Sequence, residues 1–298
     1  MRILVLGSKG QLGQCLYDQL LHTDHEVLYT SRVQIDIADF EATKNKFLDV
    51  APDLVINATA YTAVDKAEEE HQAADLINHL AVANIASICD QLDCWLIHVS
   101  TDYVFDGNSE LPYTENDQTN PEGVYGDTKL KGEIAIQSSG CRYIIIRTAW
   151  VFSEYGNNFL KTMLRLGAER NELRVVGDQV GCPTYAQDIA KAIMTILERL
   201  QSKEVSSCLY HFAGNFCCSW AEFSQAIFDK AFELEVIASK PNVVAITTKE
   251  FPTPAKRPAR SELSSKRIRA TFGIDPSDCM VGIRSSLVAI KMEQIKNE

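Results

Sequence analysis

Residues 3–13 read Ile3-Leu4-Val5-Leu6-Gly7-Ser8-Lys9-Gly10-Gln11-Leu12-Gly13, and this stretch decides the fold class. Four consecutive apolar residues are typical of a strand that is buried on both faces of a parallel sheet. The glycines that follow have the spacing G-x-x-G-x-x-G and precede an amphipathic stretch. In that context Gly7 permits a tight turn, Gly10 lets backbone approach a pyrophosphate, and Gly13 lets a helix pack on the strand. The N–H groups that begin the helix then face the phosphates, so the stretch predicts a dinucleotide site.

The same alternation of strand and helix continues along the chain. Apolar, β-branched runs recur at residues 3–6, 26–29, 54–57, 95–99, 143–147, 173–176 and 209–212. Helical spacing of apolar residues occurs near residues 11–22, 39–50, 71–91, 125–138, 155–169, 187–200 and 279–295. Strand–helix–strand repetition predicts an α/β fold with a doubly wound, Rossmann-like parallel sheet and a smaller C-terminal substrate-binding lobe. We expect a dinucleotide-binding domain over residues 1–152 and a lobe that mainly binds substrate over residues 153–298. A strand near residues 208–213 is expected to return to the main sheet.

The amino-acid composition limits the kinds of partner that the protein is expected to bind. The chain has 298 residues and a net charge of −11, which argues against nucleic-acid binding because polyphosphates attract a basic surface. We find no apolar run of membrane-spanning length and no export signal, so a cytoplasmic protein without a membrane partner is expected. The nine cysteines include no C-x-x-C pair, and we expect free thiols. The six histidines form no metal-binding pattern, and we expect no metal.

The second strand indicates which nicotinamide cofactor is used. Its carboxyl end reads Thr30-Ser31-Arg32, where an acidic residue would accept a hydrogen bond from the ribose 2′-hydroxyl of NAD. Because Ser31 and Arg32 suit a 2′-phosphate better, we expect NADPH, with NADH possible. Asp36 and Ile37 follow and can line the adenine. The third strand ends in small residues up to Ala60, where the backbone can approach the cofactor.

Tyr125 and Lys129 are the predicted reactive pair. They lie four residues apart on one helix, which places both side chains on the same face. A tyrosine has a pKa of about 10, and a neighbouring ammonium should lower it towards the range that suits proton transfer. Thr101 ends the fourth strand at the carboxyl edge of the sheet, where its hydroxyl can bind a substrate carbonyl. Ser100 should point the opposite way. Val99, at the same strand end, is expected to contact the cofactor.

The chain resembles the extended short-chain dehydrogenases/reductases, and within them the enzymes that reduce nucleotide-linked 4-keto-6-deoxy sugars. The resemblance is carried by matching stretches at residues 7–13, 63–68, 100–107, 124–133, 147–152, 156–159, 177–184 and 257–258. It implies reduction of the C4 keto group of dTDP-6-deoxy-L-lyxo-4-hexulose by NAD(P)H, with Tyr125 protonating the carbonyl oxygen. The dTDP-sugar would contact Thr101, Asp102 and Trp150, although Trp150 also fits plain core packing.

The resemblance implies further contacts. Asn158 and Arg257 would bind the nucleotide diphosphate, and for Arg257 a charge-assisted bond to phosphate supplies the reason. The implied cofactor contacts are Gly10, Gln11, Leu12, Asp36, Ile37, Ala60, Tyr61, Thr62, Tyr125 and Lys129. Some relatives associate through a carboxylate-bound Mg²⁺ near the first helix. Cys15 stands at that place here, so Mg²⁺ is not supported and a monomer or a homodimer is expected.

Three other functions stay open at this point. A nucleotide-sugar 4,6-dehydratase needs an Asp-Glu pair after the strand-end threonine, but Asp102 is followed by Tyr103. An epimerase usually retains NAD, against which Ser31 and Arg32 speak weakly. A non-catalytic regulatory subunit, like the β subunit of methionine adenosyltransferase, is the alternative outside enzymology. The intact set of Thr101, Tyr125 and Lys129 argues for turnover.

Overall fold

A computed structural model describes residues 1–201 and 205–297 of the chain. Its centre is a six-stranded parallel sheet in the order β10-β5-β4-β3-β1-β2. These strands are β1 (Arg2–Leu6), β2 (Glu26–Thr30), β3 (Leu54–Asn57), β4 (Trp95–Thr101), β5 (Arg142–Thr148) and β10 (Cys208–His211). The order of strands reverses at β1 and β3, the switch point where doubly wound sheets bind ligands beyond the strand ends. The predicted α/β class is confirmed.

The first strand shows why the sheet forms. Ile3 and Val5 pack on one face, in a core with α1 (Gln11–Leu20), α8 (Ala186–Gln201) and α10 (Lys266–Phe272). Leu4 and Leu6 pack on the other face, against α2 (Phe40–Val50), α5 (Ala81–Gln91) and α6 (Val124–Ser138). Because successive side chains of a strand point to opposite faces, an unbroken apolar run is required where helices cover both sides.

A smaller set of elements forms a core of its own. The strands are β6 (Val151–Phe152), β7 (Glu172–Val176), β8 (Val180–Gly181), β9 (Thr184–Tyr185), β11 (Cys218–Ser219) and β12 (Asn242–Ile246). The helices are α7 (Phe159–Glu169), α9 (Trp220–Glu233) and α11 (Cys279–Asn297). Aromatic and aliphatic side chains such as Phe152, Phe223 and Phe228 fill this core. The sequence reading missed α9, α10 and β12.

One predicted helix, near residues 71–91, is divided in the structure. It consists of α4 (His71–Asp75), a π-helical turn (Leu76–Leu80) and α5, and it follows the short helix α3 (Val64–Ala67). The π turn places the buried Asn78 so that its Oδ1 accepts from the N–H of Tyr61 at 2.8 Å. Asn78 also donates to the hydroxyl of Thr128 on α6 at 3.2 Å. Such turns occur often at functional sites, and this one ties the third strand's loop to α6.

The expectation of free thiols is wrong for one pair of cysteines. Cys182 and Cys217 form a disulfide, with their Cα atoms 4.3 Å apart, next to the paired strands β8 and β11. The other seven cysteines are free. Spacing along the chain could not reveal the pair, because 35 residues separate its members and only the folded loops bring them together. Of the helices in the described part of the chain, none has the length and apolarity that a membrane span requires.

Candidate active site

The glycine turn after β1 is a narrow cradle that side chains would fill. Gly7 has φ +83°, which L side chains rarely adopt, and a Cβ on Gly13 would lie 2.2 Å from the carbonyl oxygen of Gly7. The N–H groups of Gly7 and Ser8 both donate to the carbonyl of Thr30 on the neighbouring strand. Helix α1 begins directly after this turn, and its first N–H groups lack intrahelical acceptors. The turn therefore fits a pyrophosphate, because the oxygens of an anion can accept hydrogen bonds from these N–H groups.

A pocket continues from the cradle along the ends of β1, β2 and β3. Eight predicted cofactor contacts line it: Gly7, Gly10, Ser31, Arg32, Asp36, Ile37, Ala60 and Tyr61. Arg32 lies at the mouth, with most of its side chain exposed and its Nε 3.4 Å from Asp36 Oδ2. Lys9 also lines the pocket, and the sequence reading missed it although it lies inside the glycine motif. Two cations at the adenosine end suit a phosphorylated ribose.

Three other predicted contacts direct their side chains elsewhere. Leu12 packs into the core, and Thr62 is exposed beyond the pocket wall. Gln11 accepts hydrogen bonds from Ser153 Oγ and from Asn158 Nδ2, both at 2.9 Å. Gln11 and Leu12 can therefore serve the cofactor through backbone N–H groups, while the Gln11 side chain joins the two halves of the protein.

Tyr125 and Thr101 meet at the carboxyl end of β4. The Thr101 hydroxyl donates to Asp102 Oδ1 at 3.1 Å and lies near the phenol of Tyr125, whose pKa it acts to lower. Helix α6 can approach so closely because Gly126 packs on Tyr103, where a Cβ would lie 2.1 Å from the Tyr103 carbonyl oxygen. The rings of Tyr103 and Tyr125 then touch edge to face, with centroids 5.4 Å apart. Ser100 Oγ, by contrast, is buried without a hydrogen-bond partner among the described residues.

Lys129 lies on α6, like Tyr125, but its side chain binds strand β4. Its Nζ donates to the carbonyl oxygen of Val99 at 2.8 Å and lies 3.1 Å from His98 Nε2. Burial lowers the pKa of Lys129 to about 8, and the charge of Glu133 acts against that decrease. The structure brings Thr101, Tyr125, Lys129 and Val99 together at one strand end, and His98 belongs to the same cluster although sequence reasoning missed it.

The predicted lowering of the Tyr125 pKa by Lys129 is wrong. Burial raises the pKa of Tyr125 to about 12, the hydrogen bond from Thr101 opposes that rise, and the charge of Asp102 adds to it. Desolvation disfavours a phenolate, and the Lys129 nitrogen faces the Val99 carbonyl and His98. The phenol is therefore protonated at neutral pH. Burial likewise raises the pKa of Asp102 to about 6, against the hydrogen bonds that Ser261 and Thr101 make to it.

A second cavity, of about 760 Å³, opens between α7, β7 and the loop that follows β12. Its walls combine cations with aromatic rings, including Arg170, Arg174, Arg257, Phe159 and Trp220. Arg257 forms an ion pair with Asp65 at 2.7 Å and lies near the phenol of Tyr103. The cavity wall thus reaches the ring that touches Tyr125. Positive charge beside aromatic surface suits a nucleoside diphosphate.

Two predicted substrate contacts are engaged with protein groups. The Trp150 ring is stacked on Trp220 with centroids 3.4 Å apart, and it also lies close to Gly181. Asn158 caps α7 by accepting from the N–H of Lys161 at 3.1 Å, while its Nδ2 donates to the Ser153 carbonyl at 2.7 Å. Both residues support the wall of the second cavity, and their direct contact with substrate stays a prediction.

No cluster of metal ligands accompanies the site. Within residues 1–201 and 205–297, no group of three or more His, Cys, Asp or Glu side chains could hold a metal ion. Cys15 on α1 is a fully buried thiol, and burial raises its pKa well above the usual range.

Known proteins match nearly the whole chain. Residues 1–291 match the family described as RmlD substrate binding domain. A dTDP-4-dehydrorhamnose reductase from Aggregatibacter actinomycetemcomitans is 43% identical over 279 residues, which are 93% of this chain and 95% of that protein. The crystal structure of a dTDP-4-dehydrorhamnose reductase from Clostridium acetobutylicum has a TM-score of 0.90 and 36% identity, covering 98% of this chain and 100% of that one. One from Bacillus anthracis, solved in complex with NADP, has a TM-score of 0.86 and 32% identity, with coverages of 98% and 99%.

Proposed function

This chain belongs to the RmlD substrate-binding-domain family, and from that premise we propose that it is an NADPH-dependent dTDP-4-dehydrorhamnose reductase. It reduces the C4 keto group of dTDP-4-dehydro-L-rhamnose and forms dTDP-L-rhamnose. One observation carries the assignment: Thr101, Tyr125 and Lys129 converge at a strand end, on the same edge of the sheet as the glycine cradle.

The residues around the cradle fit NADPH. Backbone N–H groups of Gln11 and Leu12, at the start of α1 next to Gly10, would bind the pyrophosphate, and Arg32 with Lys9 would bind the 2′-phosphate. Asp36 lies next to Arg32 and can accept from a free ribose hydroxyl, which explains why NADH is possible as well. NADPH supplies the hydride when bound, and the protein supplies the proton and the geometry.

Tyr125 is the proposed general acid. Its raised pKa keeps the phenol protonated at neutral pH, which suits a residue that must donate to a carbonyl oxygen becoming an alkoxide. Thr101 accepts from the N–H of Tyr103 at 3.2 Å, so its hydroxyl proton is free to point towards Asp102 or towards Tyr125. After Tyr125 has given up its proton, that hydroxyl stabilises the phenolate. Lys129, whose Nζ lies at the same strand end, would hold the nicotinamide ribose.

The second cavity is the proposed site of the dTDP group. Arg257 would bind the diphosphate, and the aromatic wall formed by Phe159 and Trp220 would cover the base. Because Arg257 lies near Tyr103, whose ring touches Tyr125, a diphosphate held there would leave the sugar beside the phenol of Tyr125. We propose that residues 153–298 mainly provide this substrate lobe and that Trp150 and Asp102 complete its contacts with the sugar.

Two of the rival functions fit the geometry less well. A dehydratase needs a second carboxylate after Asp102, but Tyr103 is there, and it packs against Tyr125 and Gly126. A regulatory binder would not need Thr101 beside the phenol of Tyr125 at a cofactor site. We further propose that the protein acts in the cytoplasm as a monomer or homodimer, which sedimentation of the purified chain measures.

The test is an assay of the purified chain with dTDP-4-dehydro-L-rhamnose, following the loss of NADPH absorbance. Tyr125→Phe should bind NADPH nearly as well as the wild type but turn over at least ~10²-fold more slowly, because it loses the general acid. Tyr143→Phe removes a phenol oxygen from a half-buried ring away from the site and is the matched control. Full activity of Tyr125→Phe would remove Tyr125 from the mechanism. NADPH binding by the wild type without turnover would favour the regulatory alternative.

A further inference from the structure

His98 is a fully buried histidine on β4. It lies between Asn57 on the neighbouring strand β3 and Lys129, the proposed catalytic lysine. Its Nδ1 lies 3.1 Å from Asn57 Nδ2 on the adjacent strand β3, and its Nε2 lies 3.1 Å from Lys129 Nζ. The exposed fraction of both His98 and Asn57 is 0%. None of these three polar groups can exchange its partner for water, so the donors and acceptors among them must match.

The orientation of the Asn57 amide follows from one backbone group. The N–H of Thr59 donates to Asn57 Oδ1 at 3.0 Å, and the Thr59 hydroxyl reaches the same oxygen at 2.5 Å. A backbone N–H can only donate, so the atom that faces it must be the oxygen. The Nδ2 group of Asn57 therefore faces His98 and donates a hydrogen bond to Nδ1.

That donation determines which nitrogen of His98 carries the proton. With Nδ1 accepting, a neutral imidazole has its proton on Nε2, directed at Lys129 Nζ. An ammonium has three protons and no lone pair, so it cannot accept this hydrogen bond. A neutral amine can accept from His98 Nε2 and still donate to the carbonyl oxygen of Val99.

We infer that His98 is a positioning residue that Asn57 holds in the Nε2-protonated tautomer, and that this tautomer favours the neutral amine of Lys129. The inference rests on the proposed role of Lys129, but it does not require that the chain reduce any particular sugar. His98 acts on the reaction through Lys129, whose Nζ lies 3.1 Å from His98 Nε2.

The other charges around Lys129 do not reverse this preference. Glu133, one helical turn away on α6, acts to raise the Lys129 pKa, but Arg147 on β5 binds it through Nε at 2.9 Å and Nη2 at 2.6 Å. Tyr125 is protonated at neutral pH and carries no charge. Burial, followed by the charge of Lys129, lowers the pKa of His98 well below its usual value, so the imidazole stays neutral. Burial also lowers the pKa of Lys129, in the direction that the hydrogen bonds require.

The arrangement connects the proton on Lys129 with the wall of the cofactor pocket. Forming a fully hydrogen-bonded ammonium requires His98 to carry its proton on Nδ1 instead. The Asn57 amide must then turn over, which breaks its bond from the N–H of Thr59, a residue that lines the pocket. Protonation of Lys129 and the conformation of the loop after β3 are therefore coupled.

Asn57→Asp tests the inference because it reverses the tautomer with little change in shape. One carboxylate oxygen still accepts from the N–H of Thr59, while the other now accepts from His98 Nδ1. The proton leaves Nε2, which then accepts from the Lys129 ammonium. In NMR spectra of protein labelled with ¹⁵N-histidine, His98 should carry its proton on Nε2 in the wild type and on Nδ1 in the variant. The His98 signal is identified by its absence from His98→Phe.

The second measurement is the Lys129 pKa, read from the ¹³Cε shift of labelled lysine and assigned with Lys129→Met. Asn57→Asp should raise the pKa by about one pH unit or more, a tenfold or greater gain in proton affinity. Asn45→Asp adds the same charge on the exposed surface of α2 and should change neither reading.

A wild-type His98 protonated on Nδ1, or on both nitrogens, would overturn the inference, and this reading does not depend on whether Asn57→Asp folds. So would a reversed tautomer that leaves the Lys129 pKa unchanged. Absence of reductase activity in the wild type would instead count against the proposed function, since both NMR readings are taken without substrate.

Discussion

Breaking the ion pair between Glu133 and Arg147 should destabilise the fold more than breaking an exposed ion pair, because both of its partners are buried. The exposed fractions of the two side chains are 1% and 5%, and Arg147 binds the carboxylate through two nitrogens at 2.9 and 2.6 Å. Glu133→Gln leaves the guanidinium without its counter-charge. His211, 3.4 Å away, cannot replace it, because burial and the charge of Arg147 lower its pKa to about 3 and it has no negative charge.

We expect Glu133→Gln to lower the free energy of unfolding by about 3–5 kcal/mol, the usual consequence of leaving one buried charge uncompensated. Urea denaturation followed by circular dichroism measures this loss from the shift in the midpoint. Asp275→Asn is the control, since it breaks the ion pair of Arg269, whose partners are 68% and 72% exposed. That change should cost less than about 1 kcal/mol.

A double variant separates the pair's net contribution from the cost of breaking it. Glu133→Leu combined with Arg147→Met removes both charges, and it should recover most of the stability that Glu133→Gln loses, because two charges no longer need desolvation. The reasoning is refuted if Glu133→Gln costs no more than the exposed control, or if the double variant is less stable than the single one. Glu133→Gln should also lower the Lys129 pKa further, since Glu133 is the carboxylate that raises it.

Three further outcomes follow from the site. The folded-state pKa of Asp102, about 6 against 3.8 when unfolded, means that the neutral carboxyl stabilises the fold below pH 3.8 and that this contribution is lost as the pH rises through 6. At 1.36 kcal/mol per pH unit, this contribution of the Asp102 carboxyl to stability amounts to about 3 kcal/mol. In urea titrations, the stability of Asp102→Asn relative to the wild type should therefore rise by about that amount between pH 4 and pH 7. Equal pH dependence of the two proteins would contradict the burial of Asp102. Gly13→Ala should weaken NADPH binding at least about tenfold in calorimetry, because its Cβ would overlap the Gly7 carbonyl and displace the cradle; wild-type affinity would show that the turn does not hold the pyrophosphate. Arg32→Asp should shift the ratio of NADPH to NADH affinity towards NADH by about tenfold or more, since it removes a cation and adds an anion at the 2′-phosphate; an unchanged ratio would place that phosphate elsewhere.

The local pattern of apolar residues was sufficient to predict the strands of the main sheet. Apolar runs such as Ile3–Leu6 and Leu54–Asn57 predict strands, and the structure has them within one or two residues. A signal for α9 was also present and was missed: Ser219 and Glu222 form a capping box at its start. The sequence signal for β12 was weaker, because β12 forms a small two-stranded sheet with β7 and its residues are largely half-buried or exposed.

The sequence alone determined the parallel sheet, the glycine cradle and the position of Tyr125 and Lys129 on one helix, since each depends on periodicity or spacing between near neighbours in the chain. Tertiary structure decided what depends on contacts between distant segments: the Cys182–Cys217 disulfide, the ion pair of Arg257 with Asp65, and the position of His98 between Asn57 and Lys129. It also decided the pKa values, because desolvation depends on how much protein surrounds a group. For that reason the phenol of Tyr125 has a raised pKa, although the lysine one turn away had predicted a lowered one.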